Sequence, residues 1–183
     1  MNNILKRNFC FVMFLLTLLC INSSLFAQDN EVRISPKATF KQTVGFTEVE
    51  IDFSRPGVKG RKIWGGLVPY NIVWRAGANE ATKIIFSTDV KINGKNLKAG
   101  RYGFFALPTE KNWILIFNKV ADQWGAFEYN EAEDALRIEV TPEKGYFQEW
   151  LDYTVTKTSD NTAIVKLEWE ELKVPFTVEV FIE

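Results

Sequence analysis

The chain has 183 residues, 46% hydrophobic and 25% charged, with a formal net charge of −1 and no histidine. That length suits one domain with its own core, and the composition excludes the low-hydrophobicity, high-charge signature of disorder. Near-neutral charge leaves no basic footprint for nucleic acid, and the lack of histidine removes Ser-His and Cys-His catalytic pairs along with any imidazole-ligated metal.

At the amino terminus, Lys6 and Arg7 precede an apolar run over 9–21, followed by polar Asn22-Ser23-Ser24 and then Leu25-Phe26-Ala27. This order reads as a secretory signal peptide over 1–27, cleaved after Ala27. As a helix the apolar run covers under about 20 Å, short of a hydrocarbon core of roughly 30 Å. The expectation is therefore export to the periplasm or the exterior with no permanent membrane span. Both cysteines, Cys10 and Cys20, lie in this leader, so 28–183 has no thiol. Leu19 stands before Cys20 where lipoprotein processing takes a small side chain, which argues against a lipid anchor there. Two of the 22 basic residues also leave with the leader, so 28–183 carries a formal charge of −3.

Past the leader, alternation with a period of two recurs between turn residues, the pattern of half-buried antiparallel strands. Val49, Ile51 and Phe53 alternate with acids. Residues 84–92 read as one run ending at Asn93-Gly94, a dipeptide that tolerates positive φ and suits a tight hairpin. Tyr102, Phe104 and Ala106 come next, then a turn over 108–112, then Trp113, Leu115 and Phe117. A helical turn is expected over 131–135, with strands over 136–140 and 147–155 and a hairpin at 159–161. The last stretch runs through Ala163, Val165, Leu167 and Trp169 to Leu172, Val174, Phe176, Val178 and Val180, with Pro175 marking an edge or a bulge. Eight or nine such strands predict a single all-β domain over 28–183, an antiparallel β-sandwich or jelly-roll-like fold, with a closed barrel as the alternative.

Between 54 and 81 the alternation stops. A connection this long is uncommon and is often functional. It holds Arg55, Lys59, Arg61, Lys62 and Arg75 against one acid, Glu80, and five glycines at 57, 60, 65, 66 and 77. Arginines offer two-point recognition of carboxylate or phosphate, and glycines let backbone N–H groups approach an anion. The competing reading weighs equally: Ile63, Trp64, Leu67, Val68, Ile72, Val73 and Trp74 seal one end of the sandwich, and the arginines pair with acids of the body.

The string Arg55-Pro56-Gly57-Val58-Lys59-Gly60-Arg61, with Leu67-Val68-Pro69-Tyr70 and Trp74-Arg75-Ala76-Gly77-Ala78-Asn79-Glu80-Ala81-Thr82, resembles the bacterial domain-of-unknown-function family 2911. Phe86-Ser87-Thr88-Asp89-Val90, Asn118-Lys119, Gln123-Trp124-Gly125-Ala126-Phe127 and Leu167-Glu168-Trp169 extend the likeness over about 35–180. The resemblance implies an exported protein of Bacteroidetes-like bacteria and carries no activity with it. Ala76 stands where such relatives have threonine.

Three functions remain open. The first is a binding module for a polar or anionic small molecule or a glycan, using Arg55, Lys59, Arg61, Arg75, Asn79 and Glu80, with Trp74 or Trp124 as a stacking platform. The second is a hydrolase working through Glu80 and a second carboxylate, Asp52 or Asp122; Asn79-Glu80 also occurs at the acid/base position of barrel-type glycosidases, but no βα alternation accompanies it here. The third is an assembly module that docks on another envelope protein. Trp113, Trp150 and Trp169, on strands, are expected in the core. The acids near 131–134 lack the order of a calcium loop. The reading thus favours binding over catalysis and calls for no cofactor and no metal.

Overall fold

The computed structural model describes residues 32–182; the expected signal peptide over 1–27, with Cys10 and Cys20, lies outside them. Ten strands follow: β1 Lys37–Val44, β2 Thr47–Ser54, β3 Thr82–Phe86, β4 Val90–Ile92, β5 Lys95–Leu97, β6 Gly100–Leu107, β7 Trp113–Asn118, β8 Asp134–Val140, β9 Glu143–Lys157 and β10 Thr162–Val180. They form a six-stranded sheet in the order β1-β2-β3-β6-β7-β8 and a four-stranded sheet in the order β5-β4-β10-β9, with antiparallel pairing throughout. The fold is a β-sandwich. Both sheets keep open edges, so the barrel alternative does not hold.

The alternating residues supply the layer between the sheets. Ile51, Ile84, Phe104 and Phe117 from one sheet and Tyr153, Val165, Phe176 and Val178 from the other are all nearly or fully buried in one cluster. Phe104 meets Phe117, Tyr153 and Phe176 at ring-centroid distances of 5.3 to 6.2 Å. Burying one such side chain contributes about 1.5–3 kcal/mol. Asn93 and Gly94 both take positive φ, at 47° and 77°, and close the β4–β5 hairpin as expected.

The run over 84–92 is two strands rather than one. The chain bends at Ser87–Asp89 and passes from the first sheet to the second, held by the Thr47–Thr88 hydroxyl pair at 2.6 Å and by Asp89, which accepts from the Ala99 N–H at 2.8 Å. β1 was not expected, because only alternate positions of KATFKQTV are even half-buried before Val44. The helical turn shrinks to three residues, Glu131–Glu133, since β8 begins at Asp134.

β10 contains a bulge. Ala163, Val165, Leu167 and Trp169 face inward at odd positions, and Val174, Phe176, Val178 and Val180 at even ones. Register shifts on either side of Glu170, whose φ is 56°, produce the change of parity. Pro175 lies between the part of β10 that pairs with β9 and the part that pairs with β4, so its missing N–H breaks no pair in either register. Trp150 departs from expectation: it is 36% exposed on edge strand β9.

Candidate functional site

Residues 55–81 contain no long strand but are pinned to the sandwich at three places. Pro56 and Val58 lie along β9, with the Leu151 N–H donating to Pro56 O at 3.0 Å and the Val58 N–H to Glu149 O at 2.8 Å. Trp74 exchanges hydrogen bonds of 2.7 and 2.8 Å with Ala106, extending the track of β3 beside β6. Ala81 donates to Gln123 O at 3.0 Å, and Gly125 donates to Asn79 O at 3.1 Å. The loop is thereby a fixed wall.

Four non-glycine residues in it adopt positive φ: Lys59 at 50°, Asn71 at 61°, Ala76 at 50° and Asn79 at 58°. Asparagine tolerates that region, whereas alanine is strained there. Ala76 is held in place because its carbonyl accepts from the Thr82 hydroxyl at 3.0 Å and from the buried Tyr153 hydroxyl at 2.7 Å. The bend turns the chain directly after Arg75.

Beneath the loop, four tryptophans meet. Trp64, Trp74, Trp113 and Trp169 pair at centroid distances of 4.8 to 6.4 Å, with Trp74 stacked on Trp169 at 19°. The bulge places Glu170 where it accepts from Trp64 Nε1 at 3.2 Å. The end-sealing reading is therefore correct for Trp64 and for most of Trp74. Above this floor opens a cleft of about 530 Å³, lined by Trp74 and Trp169 below and by Lys59, Arg61, Arg75 and Asn79 on its walls. That volume is within the range of small-molecule sites.

The arginines divide sharply. Among the described residues there are six, and four bind carboxylates: Arg33 with Glu80, Arg55 with Asp152, Arg101 with Asp122, and Arg137 with Glu131 and Asp134. The other two, Arg61 and Arg75, line the cleft. Arg61 is steadied by donating to the carbonyls of Val58 and Gly57. Arg75 makes no side-chain hydrogen bond among the described residues, its Nε is buried without a partner, and burial lowers its pKa. Among the described residues no Asp or Glu lines this cleft.

Of the predicted site residues, Lys59, Arg61, Trp74, Arg75 and Asn79 come together here; Arg55, Glu80 and Trp124 do not. Arg55 reaches Asp152 at 2.9 Å. Trp124 is exposed and pairs through its backbone with Glu80 outside the cleft. Glu80 pairs not with Arg75 or Arg55 but with Arg33, through two bonds of 2.7 and 2.8 Å that hold its pKa down at about 2. It lines a separate small pocket of about 80 Å³ with Asp52. An ionised Glu80 carries no proton to donate near neutral pH, and Asp122 is bound by Lys83 and Arg101.

Sequence reasoning missed Ile34, Phe127 and the role of Gly125. A Cβ at Gly125 would stand 2.8 Å from Arg75 Nη1 and 3.0 Å from the Phe127 ring, and the residue has φ of 67°. That glycine makes room for the Arg75 guanidinium. No local sequence signal marks it, because Arg75 lies 50 positions earlier in the chain.

Among the described residues no helix is long and apolar enough to cross a membrane. No curated protein and no solved structure matches the chain. The family described as "Protein of unknown function (DUF2911)" matches residues 35–178, and the chain belongs to that family.

Proposed function

We propose that this DUF2911 member is an exported binding protein that holds an anionic small molecule in the cleft above Trp74 and Trp169, with Arg75 and Arg61 as its charge partners. The observation that carries this reading is the distribution of the arginines: among the described residues, the two without a carboxylate partner line the same cleft, and no acid lines it. A buried guanidinium edge without a partner is costly, and an arriving carboxylate or phosphate supplies the missing acceptors with two-point geometry. The leader over 1–27 supports a site of action outside the cytoplasm.

The test is thermal protection of the mature chain by a panel of small carboxylates and phosphates, with Arg75→Met beside the wild type. The wild type gains stability with at least one anion, and Arg75→Met loses that gain while unfolding at a similar midpoint without anion. Equal protection of both proteins overturns the assignment of Arg75, and no protection by any anion overturns the site. In that second case the exposed Leu67, Ile72 and Phe127 at the rim favour the envelope-docking reading instead.

A further inference from the structure

Resting on that reading, we infer that the ligand is an amphipathic anion: one carboxylate or phosphate group on an apolar body, rather than a sugar or a polyanion. The cleft is sharply divided in chemistry. Among the described residues its charged side chains are Lys59, Arg61 and Arg75, and its neutral polar side chains besides the indoles are only Ser35 and Asn79. The Asn79 amide is already turned to the Ser35 carbonyl, at 3.3 Å. A glycan could pair hydroxyls only along the cationic wall; those lying over the indoles and the aliphatic lining would meet no side-chain partner, and each one buried unpaired lowers affinity about tenfold.

The rest of the lining is apolar. Trp74 and Trp169 form the floor, and Leu67, Ile72 and Phe127 rise around the mouth at 47%, 57% and 83% exposure. Large apolar side chains left open around a concave site are surface that a ligand's body removes from water. Charge and apolar rim are adjacent: Arg75 Nη1 and the Phe127 ring lie 2.8 and 3.0 Å from one point, the Cβ position at Gly125. A head group on Arg75 therefore has an aromatic wall directly beside it. Lys59 is drawn aside, its ammonium lying 5.6 Å from the Trp150 ring centre. Arg61, with a guanidinium edge on backbone carbonyls, adds a second fixed positive charge to the lining of the same cleft. One anionic group on Arg75, within the field of Arg61, and an apolar remainder over the indoles match the charged and the apolar parts of the cleft.

The experiment compares probes that share a head group and differ in their bodies: acetate and glucuronate against phenylacetate and octanoate, and inorganic phosphate against phenyl phosphate. Dissociation constants are read by chemical-shift titration of the mature chain, its Arg75→Met variant and its Phe127→Ser variant. Phenylacetate or octanoate is expected to bind at least tenfold tighter than acetate and glucuronate, and phenyl phosphate tighter than inorganic phosphate. Phe127→Ser, at an exposed position, is expected to shrink that preference severalfold. Glucuronate equal to or tighter than phenylacetate, with binding still lost in Arg75→Met, overturns the amphipathic class and leaves the anion site standing. Binding that is absent for all six probes, or unchanged in Arg75→Met, overturns both. If the carboxylates bind and the phosphates do not, or the reverse, the head group is identified and the inference holds.

Discussion

Arg137, on β8, and Arg75, next to the Trp74 that pairs with β6, are both partly buried arginines, yet their surroundings are opposite. Arg137 donates to the Tyr129 hydroxyl at 3.2 Å, lies 3.1 Å from Asp134 and 2.8 Å from Glu131, and its partner Asp134 also accepts from Asn118 and Tyr129. Arg75 has no carboxylate, no side-chain hydrogen bond among the described residues, and a glycine set against its guanidinium. The first is a closed network, in which every buried polar group finds a partner and the gain is structural. The second leaves an acceptor to be supplied from outside. A folded chain tolerates such a defect where function uses it.

The largest effect is expected at Arg137. Arg137→Met removes the cation from a nearly buried Asp134 and is expected to cost about 2–3 kcal/mol, measured by chemical denaturation, with anion binding unchanged. A cost near zero there would mean that pairing does not separate the two sites. Gly125→Ala comes next. Strain at positive φ and the collision with Arg75 Nη1 are expected to cost about 1–2 kcal/mol and to weaken anion binding by displacing the guanidinium. In the Arg75→Met background that cost should fall, and a double-mutant cycle reads the coupling. Strict additivity would show that Gly125 makes no room for Arg75.

The smallest effect concerns the strap of residues 33–36, which lies along one wall of the cleft. Glu80 has a folded pKa of about 2 against an ordinary 4.5. Since the fold prefers the ionised form, the contribution of the Arg33–Glu80 pair is present above about pH 4.5 and is lost as pH falls toward 2. Glu80→Gln should remove that part of the acid sensitivity, seen as a shallower loss of stability across this range. A profile identical to the wild type would show that the pair adds nothing. Both side chains are substantially exposed, so the change is small.

Much of the sandwich is legible because period-two alternation reports burial directly. The bulge was expected at Pro175 but sits at Glu170, where the inward positions change from odd at Val165 and Leu167 to even at Val174 and Phe176. β1 escaped because Lys37–Val44 is an edge strand with little apolar pattern, and the split at 87–89 escaped because β3 and β4 both bury even-numbered residues across the sheet change. In the site, composition located the basic glycine-rich loop but could not sort its arginines. Arg55 is bound by Asp152, 97 residues away, and Glu80 by Arg33, 47 residues away. Nothing local distinguishes either from Arg75. The same holds for Gly125, whose neighbour through space is 50 positions earlier in the chain.

If Arg75 is kept for a ligand and not for the fold, the thermal midpoint of Arg75→Met in anion-free buffer reports it. Methionine keeps an apolar stem in the same space and removes an unsatisfied buried N–H. The midpoint is therefore predicted to stay level or to rise, while the anion-dependent increase seen in the wild type disappears. A fall of more than about 4 °C, equivalent to roughly 1–2 kcal/mol in a domain of this size, would show Arg75 holding the structure together and would contradict the account.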